Sequence, residues 1–177
     1  YDAYVAWGGT DDVIFDVGNS TDGQGRSRGS FSDYGNYYLF GLTSDETAAN
    51  TPSGSKKQIL SNNTSLDTQN PTVNNSITGN GSTMYLGSGN NAEYWDGTIC
   101  EAIWFSDAIS ETDEDKVQTY LAVKYGITLA GEDYTASAGT VIWNNTTYSA
   151  YHYDIAGLGR DNVSGLHQKI GKSVESD

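Results

Sequence analysis

The chain has 177 residues, and its 9 Lys and Arg against 23 Asp and Glu give a net charge of −14. This balance argues against nucleic-acid binding, because neutralising phosphates requires clustered basic residues and here they are few and scattered. No stretch approaches the roughly 20 apolar residues that a membrane-spanning helix needs. The length suits one domain, or one domain and part of another, with a core of ordinary size.

The composition predicts an all-β protein in which helix is the minority. The chain holds 21 Gly and 13 Tyr, and only 18% of its residues are charged. Aromatic and β-branched residues favour strands, whereas Gly, Asn and Asp favour turns. The acidic, Asn-, Thr- and Tyr-rich balance is typical of a secreted or cell-surface protein. Because the chain opens in a strand-like run without a signal peptide, we expect a mature piece or an excised fragment.

The first half predicts short strands separated by loops. Apolar alternation or an aromatic run indicates strands over residues 1–7, 13–17 and 37–42. Polar connections are expected between them and after the third. The Asn-, Thr- and Ser-rich stretch 61–81 offers few core residues, so it predicts loop or edge strand.

The second half predicts a short strand over 84–87 and a longer one over 97–106. The longer run is apolar on both faces, which is typical of a central strand in a sandwich. Cys100 lies within it and is the single cysteine, so it has no internal disulfide partner. We expect a small buried core residue there.

One surface helix is predicted over about 110–125. Ser110 and Asp113 resemble a capping box, and acidic residues crowd the positive end of the helix dipole. Gly126 is a typical C-terminal stop. An apolar stripe should pack on the sandwich, with the acids in water; it consists of Val117, Tyr120, Leu121 and Tyr125.

A change of texture near Gly131 predicts a boundary between a domain over 1–130 and a partial β-rich extension over 131–177. Residues 140–143 predict a strand, and 151–169 continue the β pattern. The extension is small for a core of its own. It should pack on the first domain or belong to a module that continues beyond Asp177.

A family resemblance rests on three runs: 96–105, 108–113 and 120–127. Their glycine, hydrophobic-Glu-hydrophobic strand, acidic helix and Lys124-Tyr125-Gly126 step resemble the end of concanavalin A-like, laminin G-like jelly-roll domains in bacterial surface proteins. The runs 154–161 and 165–169 are similar to the β-rich domain that often follows in adhesin-type exoproteins. The resemblance implies an antiparallel jelly-roll β-sandwich. It leaves open whether the opening strands of that sandwich lie upstream of Tyr1.

No pattern in the chain predicts an enzyme. Concanavalin A-like folds include glycoside hydrolases, which need two carboxylates about 5–5.5 Å apart when they retain configuration. The dense acidic run 111–115 opens a helix, so it is interpreted as a solvated cap, and Glu101 has no carboxylate two or four residues away. Neither His152 nor His167 belongs to a recognisable nucleophile motif.

Two binding sites are predicted. Calcium is the metal that the resemblance implies, with Asp11, Asp12 and Asp22 as acidic turn ligands; the alternative is ordinary turn formation.

Glycan binding is predicted at Asn90, Asn91, Tyr94 and Trp95. Rings stack on sugars while amides bond their hydroxyls, and the alternative is that the rings cap the sandwich edge.

The resemblance implies an extracellular, non-catalytic binding or adhesion module of a larger surface protein, with glycans or surface proteins as partners. The alternative is a structural spacer or a subunit of an extracellular assembly. In that case unpaired strand edges would accept a strand from a neighbouring chain.

Overall fold

The computed structural model describes residues 2–5, 12–16, 26–32, 35–48, 54–70, 86–89, 92–129, 131–153 and 156–172. These residues are mostly strand with one α-helix, which is consistent with an all-β class. Their strands form five antiparallel sheets of two or three strands each. No helix among them is long and apolar enough to cross a membrane.

The first sheet consists of β1 (Asp2–Val5), β2 (Asp12–Asp16) and β3 (Arg26–Ser30), in that order. Val13 and Ile14 of the central strand are buried. Asp16 is buried as well, and Arg26 donates to both of its carboxylate oxygens at 2.8 and 2.7 Å. The first two predicted strands are confirmed in their described parts. The strand β3 has no counterpart among the predicted elements.

The second sheet consists of β4 (Phe40–Ser44), β5 (Lys57–Ser61) and β6 (Thr64–Gln69). Every residue of β5 is buried. Asn62 and Asn63 join β5 to β6 with φ angles of 46° and 67°, as a two-residue type I′ turn requires. The strand β4 begins later than predicted, and β6 lies at the sheet edge, as expected for part of 61–81.

The first two sheets contact each other through β3, which touches both β5 and β6. Gly29 of β3 lies so close to Leu66 that a Cβ at this position would collide with the Leu66 side chain. The fully buried Lys57 crosses between the sheets. Its Nζ donates to the Phe15 carbonyl at 2.7 Å and lies 4.7 Å from the centre of the Phe15 ring. The close packing of β3 on β6 at Gly29 and the Lys57 side chain, which reaches from the second sheet to the first, therefore join the two sheets.

The helix α1 (Glu111–Tyr125) begins and ends where the sequence predicts. The Ser110 hydroxyl accepts a hydrogen bond from the Asp113 amide at 3.2 Å. Gly126 ends the helix in the left-handed conformation at φ 70°, and its amide donates to Ala122.

The buried side of α1 differs from the predicted apolar stripe. Its buried residues are Glu114, Gln118, Thr119 and Ala122. Gln118 donates to Asn63 in the β5–β6 turn at 2.7 Å, and the Thr119 hydroxyl accepts from the Thr135 amide at 2.8 Å. Polar contacts on two sides thus turn this face inward, so the predicted exposure of Glu114 is wrong. The predicted stripe is confirmed in part, because Leu121 and Tyr125 are half-buried and pack against a cluster of buried apolar residues.

Helix α1 shares a small hydrophobic core with the residues that follow it, and this core consists of Leu39, Ala122, Ile127, Leu129 and Tyr134. The buried Tyr134 hydroxyl accepts from the Leu129 amide at 3.0 Å. Two hairpins follow, β9 (Tyr134–Thr135) with β10 (Val141–Trp143) and β11 (Ala156–Asp161) with β12 (Leu166–Lys172). Residues on both sides of Gly131 therefore share one core.

The remaining sheet is the short hairpin of β7 (Ser88–Gly89) and β8 (Ala92–Tyr94). The strand predicted over 84–87 is wrong in its described part, because residues 86 and 87 form a bend.

The central strand predicted over 97–106 is wrong. Residues 98–105 have no regular secondary structure, and no backbone–backbone hydrogen bond joins them to another described residue. The Tyr125 hydroxyl donates to the Cys100 carbonyl at 3.4 Å. Their large apolar side chains are exposed. Cys100 is exposed too, so its predicted burial is also wrong. The apolar pattern is that of an interior strand, but no described strand pairs with it.

Candidate functional site

Among the described residues, the largest group of exposed apolar side chains in one stretch of sequence lies in residues 94–105, which we call the aromatic segment. Its exposed large side chains are Tyr94, Trp95, Ile99, Ile103, Trp104 and Phe105. Tyr94 and Trp104 are each 75% exposed. Single exposed apolar residues are ordinary on protein surfaces, but a contiguous group marks a contact surface.

Trp95 is positioned by its backbone and by two glycines. Its amide donates to the Gly87 carbonyl at 2.8 Å. A Cβ on Gly97 would lie 2.7 Å from the Trp95 Nε1, so the absence of a side chain lets the indole lie against the backbone. Gly87 adopts φ 78°, and a Cβ there would touch Ile99. Glycine is therefore required at position 87 for the backbone conformation and at position 97 for the packing of the Trp95 ring.

Glu101 fastens the middle of the aromatic segment to α1. Lys124 Nζ donates to Glu101 Oε2 at 2.8 Å, and the Tyr125 hydroxyl donates to the same oxygen at 2.9 Å. Lys124 also donates to the Tyr120 hydroxyl at 2.7 Å, and its Nζ lies 5.0 Å from the centre of the Tyr120 ring. We call Glu101, Tyr120, Lys124 and Tyr125 the glutamate clamp.

Charge pairing dominates the electrostatics of the glutamate clamp. The hydrogen bond from Lys124 holds the pKa of Glu101 below its usual value, and the Tyr125 hydroxyl acts in the same direction. The hydrogen bond to Glu101 raises the pKa of Lys124. The pKa of Tyr125 is also raised, chiefly by its hydrogen bond to Glu101. The carboxylate thus stays ionised and bound to the helix, and it shows the features of an anchor.

The predicted glycan residues are partly described. Tyr94 and Trp95 lie side by side and exposed at the end of β8, whereas Asn90 and Asn91 lie outside the described residues. The prediction missed Trp104 and the other exposed apolar residues of 98–105, because their pattern favoured burial. It also missed the glutamate clamp. The only local signal of the glutamate clamp in the sequence is the spacing of Tyr120 and Lys124, which places both on one helix face.

The acidic run at the start of α1 is a cap only in part. Glu111 and Asp113 are exposed, and Lys116 donates to Asp113 at 2.8 Å. This hydrogen bond, together with one from Ser110, lowers the pKa of Asp113. Glu114 is instead buried, and one of its carboxylate oxygens has no hydrogen-bond partner among the described residues. Burial raises the pKa of Glu114 to about 7, and the neighbouring Asp115 adds to the increase.

One of the three predicted calcium ligands, Asp12, lies in the described residues. Asp12 lies at the start of β2 rather than in a turn. Its carboxylate lies 3.6 Å from the Arg28 guanidinium and accepts from the Ser30 hydroxyl at 3.3 Å. Asp11 and Asp22 lie outside the described residues, so calcium binding by these three carboxylates stays a prediction. No group of three or more His, Cys, Asp or Glu suited to a metal occurs in the described part of the chain.

One comparison with known proteins gives a match. A family described as a domain of unknown function, DUF8202, matches residues 113–177. This range contains most of α1 and all of the hairpins that follow it. No curated protein and no solved structure matches the chain.

Proposed function

We propose that this chain is a non-catalytic binding or adhesion module of a larger secreted or cell-surface protein, and that it binds glycans through the aromatic segment. The observation that carries the proposal is the exposure of Tyr94, Trp95 and Trp104 on a segment that α1 holds in place. The fold we propose for residues 1–130 is a jelly-roll β-sandwich.

The energetics of exposure favour a contact role for the aromatic segment. Burying a large apolar side chain stabilises a protein by roughly 1.5–3 kcal/mol, so several such side chains left in water forgo considerable stability. Aromatic rings stack on the apolar faces of sugars, and polar groups beside them bond the hydroxyls. Asp96, which follows Trp95 in the sequence and is exposed, offers a carboxylate that can bond sugar hydroxyls.

The glutamate clamp supports the family resemblance. Glu101 is the glutamate of the hydrophobic-Glu-hydrophobic run, and Lys124 and Tyr125 belong to the lysine-tyrosine-glycine step. These motif residues, more than 20 positions apart, meet in one hydrogen-bonded group. The contacts of β3 with β5 and β6 are compatible with two layers of sheet.

A second candidate function is assembly by strand addition, which is favoured because no described strand pairs with the backbone of 98–105. Backbone amides and carbonyls without partners, beside apolar side chains, form an acceptor for a strand from another chain. Pairing would also cover Ile99, Ile103 and Phe105. On this proposal the module is a spacer or subunit of an extracellular assembly.

Glycan binding is tested by screening the chain on a glycan array and measuring the hits by titration calorimetry. Trp95→Ala should weaken binding roughly tenfold or more, because one stacked ring is lost. Tyr37→Ala removes another exposed ring away from the aromatic segment and serves as the matched control. The glycan proposal is wrong if no glycan binds, or if both variants behave alike.

Assembly is tested by sedimentation over a range of chain concentrations. Concentration-dependent oligomers that Ile103→Pro prevents would support strand addition, because proline removes a backbone donor. A monomer at every concentration would exclude it. Hydrolysis of a polysaccharide that is lost in Glu101→Ala would contradict the non-catalytic part of the proposal.

A further inference from the structure

A second group of aromatic rings lies in the part of the chain that the family of unknown function matches. Trp143 ends β10, and Tyr148 and Tyr151 follow in the next turn. The Trp143 and Tyr148 ring centres are 5.1 Å apart with an interplanar angle of 40°. Tyr151 is 60% exposed and Tyr148 is exposed as well. We call these three residues the tyrosine platform.

The backbone places the two tyrosines at the two ends of one turn. Ser149–Tyr151 forms a single 3₁₀ turn, and the Tyr151 amide donates to the Tyr148 carbonyl at 2.8 Å. This bond brings Tyr148 and Tyr151 within one turn of each other. Both rings are exposed, and the Tyr148 ring lies next to that of Trp143.

The platform is attached to rigid structure. Trp143 packs against the hydrophobic core that contains Tyr134. Asp133 accepts hydrogen bonds from the Asn144 side-chain amide at 2.9 Å and from the Asn145 backbone amide at 2.7 Å. Asn144 in turn accepts from the Thr147 amide at 2.8 Å. Rings held in this way lose little freedom on binding, which lowers the cost of association.

The charge around the platform restricts what it binds. No Lys or Arg occurs between Lys124 and Arg160, whereas Glu132 and Asp133 precede the platform. The chain as a whole carries a net charge of −14, so an anionic ligand would be repelled. A neutral sugar chain meets no such penalty, and its apolar faces suit rings whose hydroxyls and neighbouring amides bond sugar hydroxyls.

We propose that the tyrosine platform is a second carbohydrate-binding site, specific for neutral oligosaccharides. The two exposed tyrosine rings, one turn apart, accept sugar units, and Trp143 extends the stacking surface. The site is separate from the aromatic segment. It does not require that segment to bind glycans.

The experiment uses the full chain carrying Trp95→Ala, so that the aromatic segment does not contribute. Calorimetric titration with cellohexaose, xylohexaose and mannohexaose should detect binding to at least one, and hexagalacturonate should not bind. Adding Tyr151→Ala should weaken binding roughly tenfold. Adding Tyr37→Ala instead should leave it unchanged. Circular dichroism verifies that each variant is folded, and Tyr151→Phe, which keeps the ring, should retain most of the affinity.

The outcomes separate this proposal from the proposed function. Binding to none of the neutral hexasaccharides, or equal binding with and without Tyr151→Ala, overturns the platform. Tighter binding of hexagalacturonate overturns its specificity. Glycan binding that Trp95→Ala abolishes and Tyr151→Ala leaves intact would support the aromatic segment alone. The reverse result would support the platform alone.

Discussion

Glu114 should make the stability of this protein depend on pH. The side chain is 7% exposed on the inner side of α1, and one of its oxygens lacks a hydrogen-bond partner in the described structure. The Thr43 side chain hydrogen-bonds the carboxyl group, but burial and the charges of Asp115 and Glu111 outweigh it and raise the pKa to about 7. Replacing the carboxyl group by the neutral amide of Glu114→Gln removes the ionisation while keeping the shape.

The size and sign of the effect follow from proton linkage. In the unfolded chain the carboxyl group ionises near its usual value of 4.5, whereas in the folded chain it keeps its proton to about pH 7. The folded state therefore binds more protons over this interval, so the free energy of unfolding falls as pH rises through it. The change from 4.5 to about 7 corresponds to a loss of about 3 kcal/mol, complete above about pH 7.

The measurement is urea unfolding, followed by tryptophan fluorescence at several pH values between 4.5 and 8. Wild type should lose most of this stability across the interval, and Glu114→Gln should lose much less. At pH 8 the variant should be more stable than wild type by up to about 3 kcal/mol. Glu46→Gln, which removes an exposed carboxylate in the connection after β4, is the matched control and should follow wild type.

Two results would refute this reasoning. One is a Glu114→Gln profile parallel to that of wild type, which would mean that other groups cause the pH dependence. The other is a variant less stable than wild type at pH 8, which would mean that the ionised carboxylate has a partner that stabilises it. A change in the denaturant slope would instead show that the unfolding reaction had altered, so slopes are compared first.

Three further outcomes are expected. Gly29→Ala should destabilise the chain by about 1–3 kcal/mol in urea unfolding, because its Cβ collides with the Leu66 Cβ, and the loss should be smaller in a chain that carries Leu66→Gly, which removes that Cβ. Burial lowers the pKa of Lys57 to about 8, so stability should rise between about pH 8 and 10.5; Lys57→Met, which also loses the bond to Phe15, should lack that rise. Glu101→Gln should cost less than about 1 kcal/mol because the pair is partly exposed, yet ¹⁵N relaxation should show greater mobility in 98–105, and unchanged order parameters would contradict an anchoring role.

The helix was predictable because its signals are local. Ser110 bonds the amide three residues later, and Gly126 adopts a conformation that few other residues accept. Which side of the helix faces inward was not predictable from apolar spacing. That depends on Gln118 and Thr119, whose partners Asn63 and Thr135 belong to other elements.

Strand β3 could not be predicted because the residues that stabilise it are distant in sequence. Arg26–Ser30 contains no large apolar residue, and alternation therefore gives no signal. The strand is held by its ladder with β2 and by the pair of Arg26 with Asp16. Gly29, which resembles a turn residue in the sequence, is required by the approach of Leu66.

For the aromatic segment, the sequence indicates the apolar residue types correctly but predicts the wrong location, a central strand instead of an exposed segment. An apolar run over both faces predicts a strand with neighbours on each side, but the pattern cannot supply the neighbours. In the described chain, Glu101 is bound by α1, while Trp104 and Phe105 remain in water. A segment that is fixed at its middle and exposed at its rings keeps its apolar surface available to a partner. Sugar binding requires the aromatic rings to remain exposed, whereas strand addition requires a backbone that can pair with another chain. A substitution that removes a ring and one that removes a backbone donor therefore distinguish the two functions.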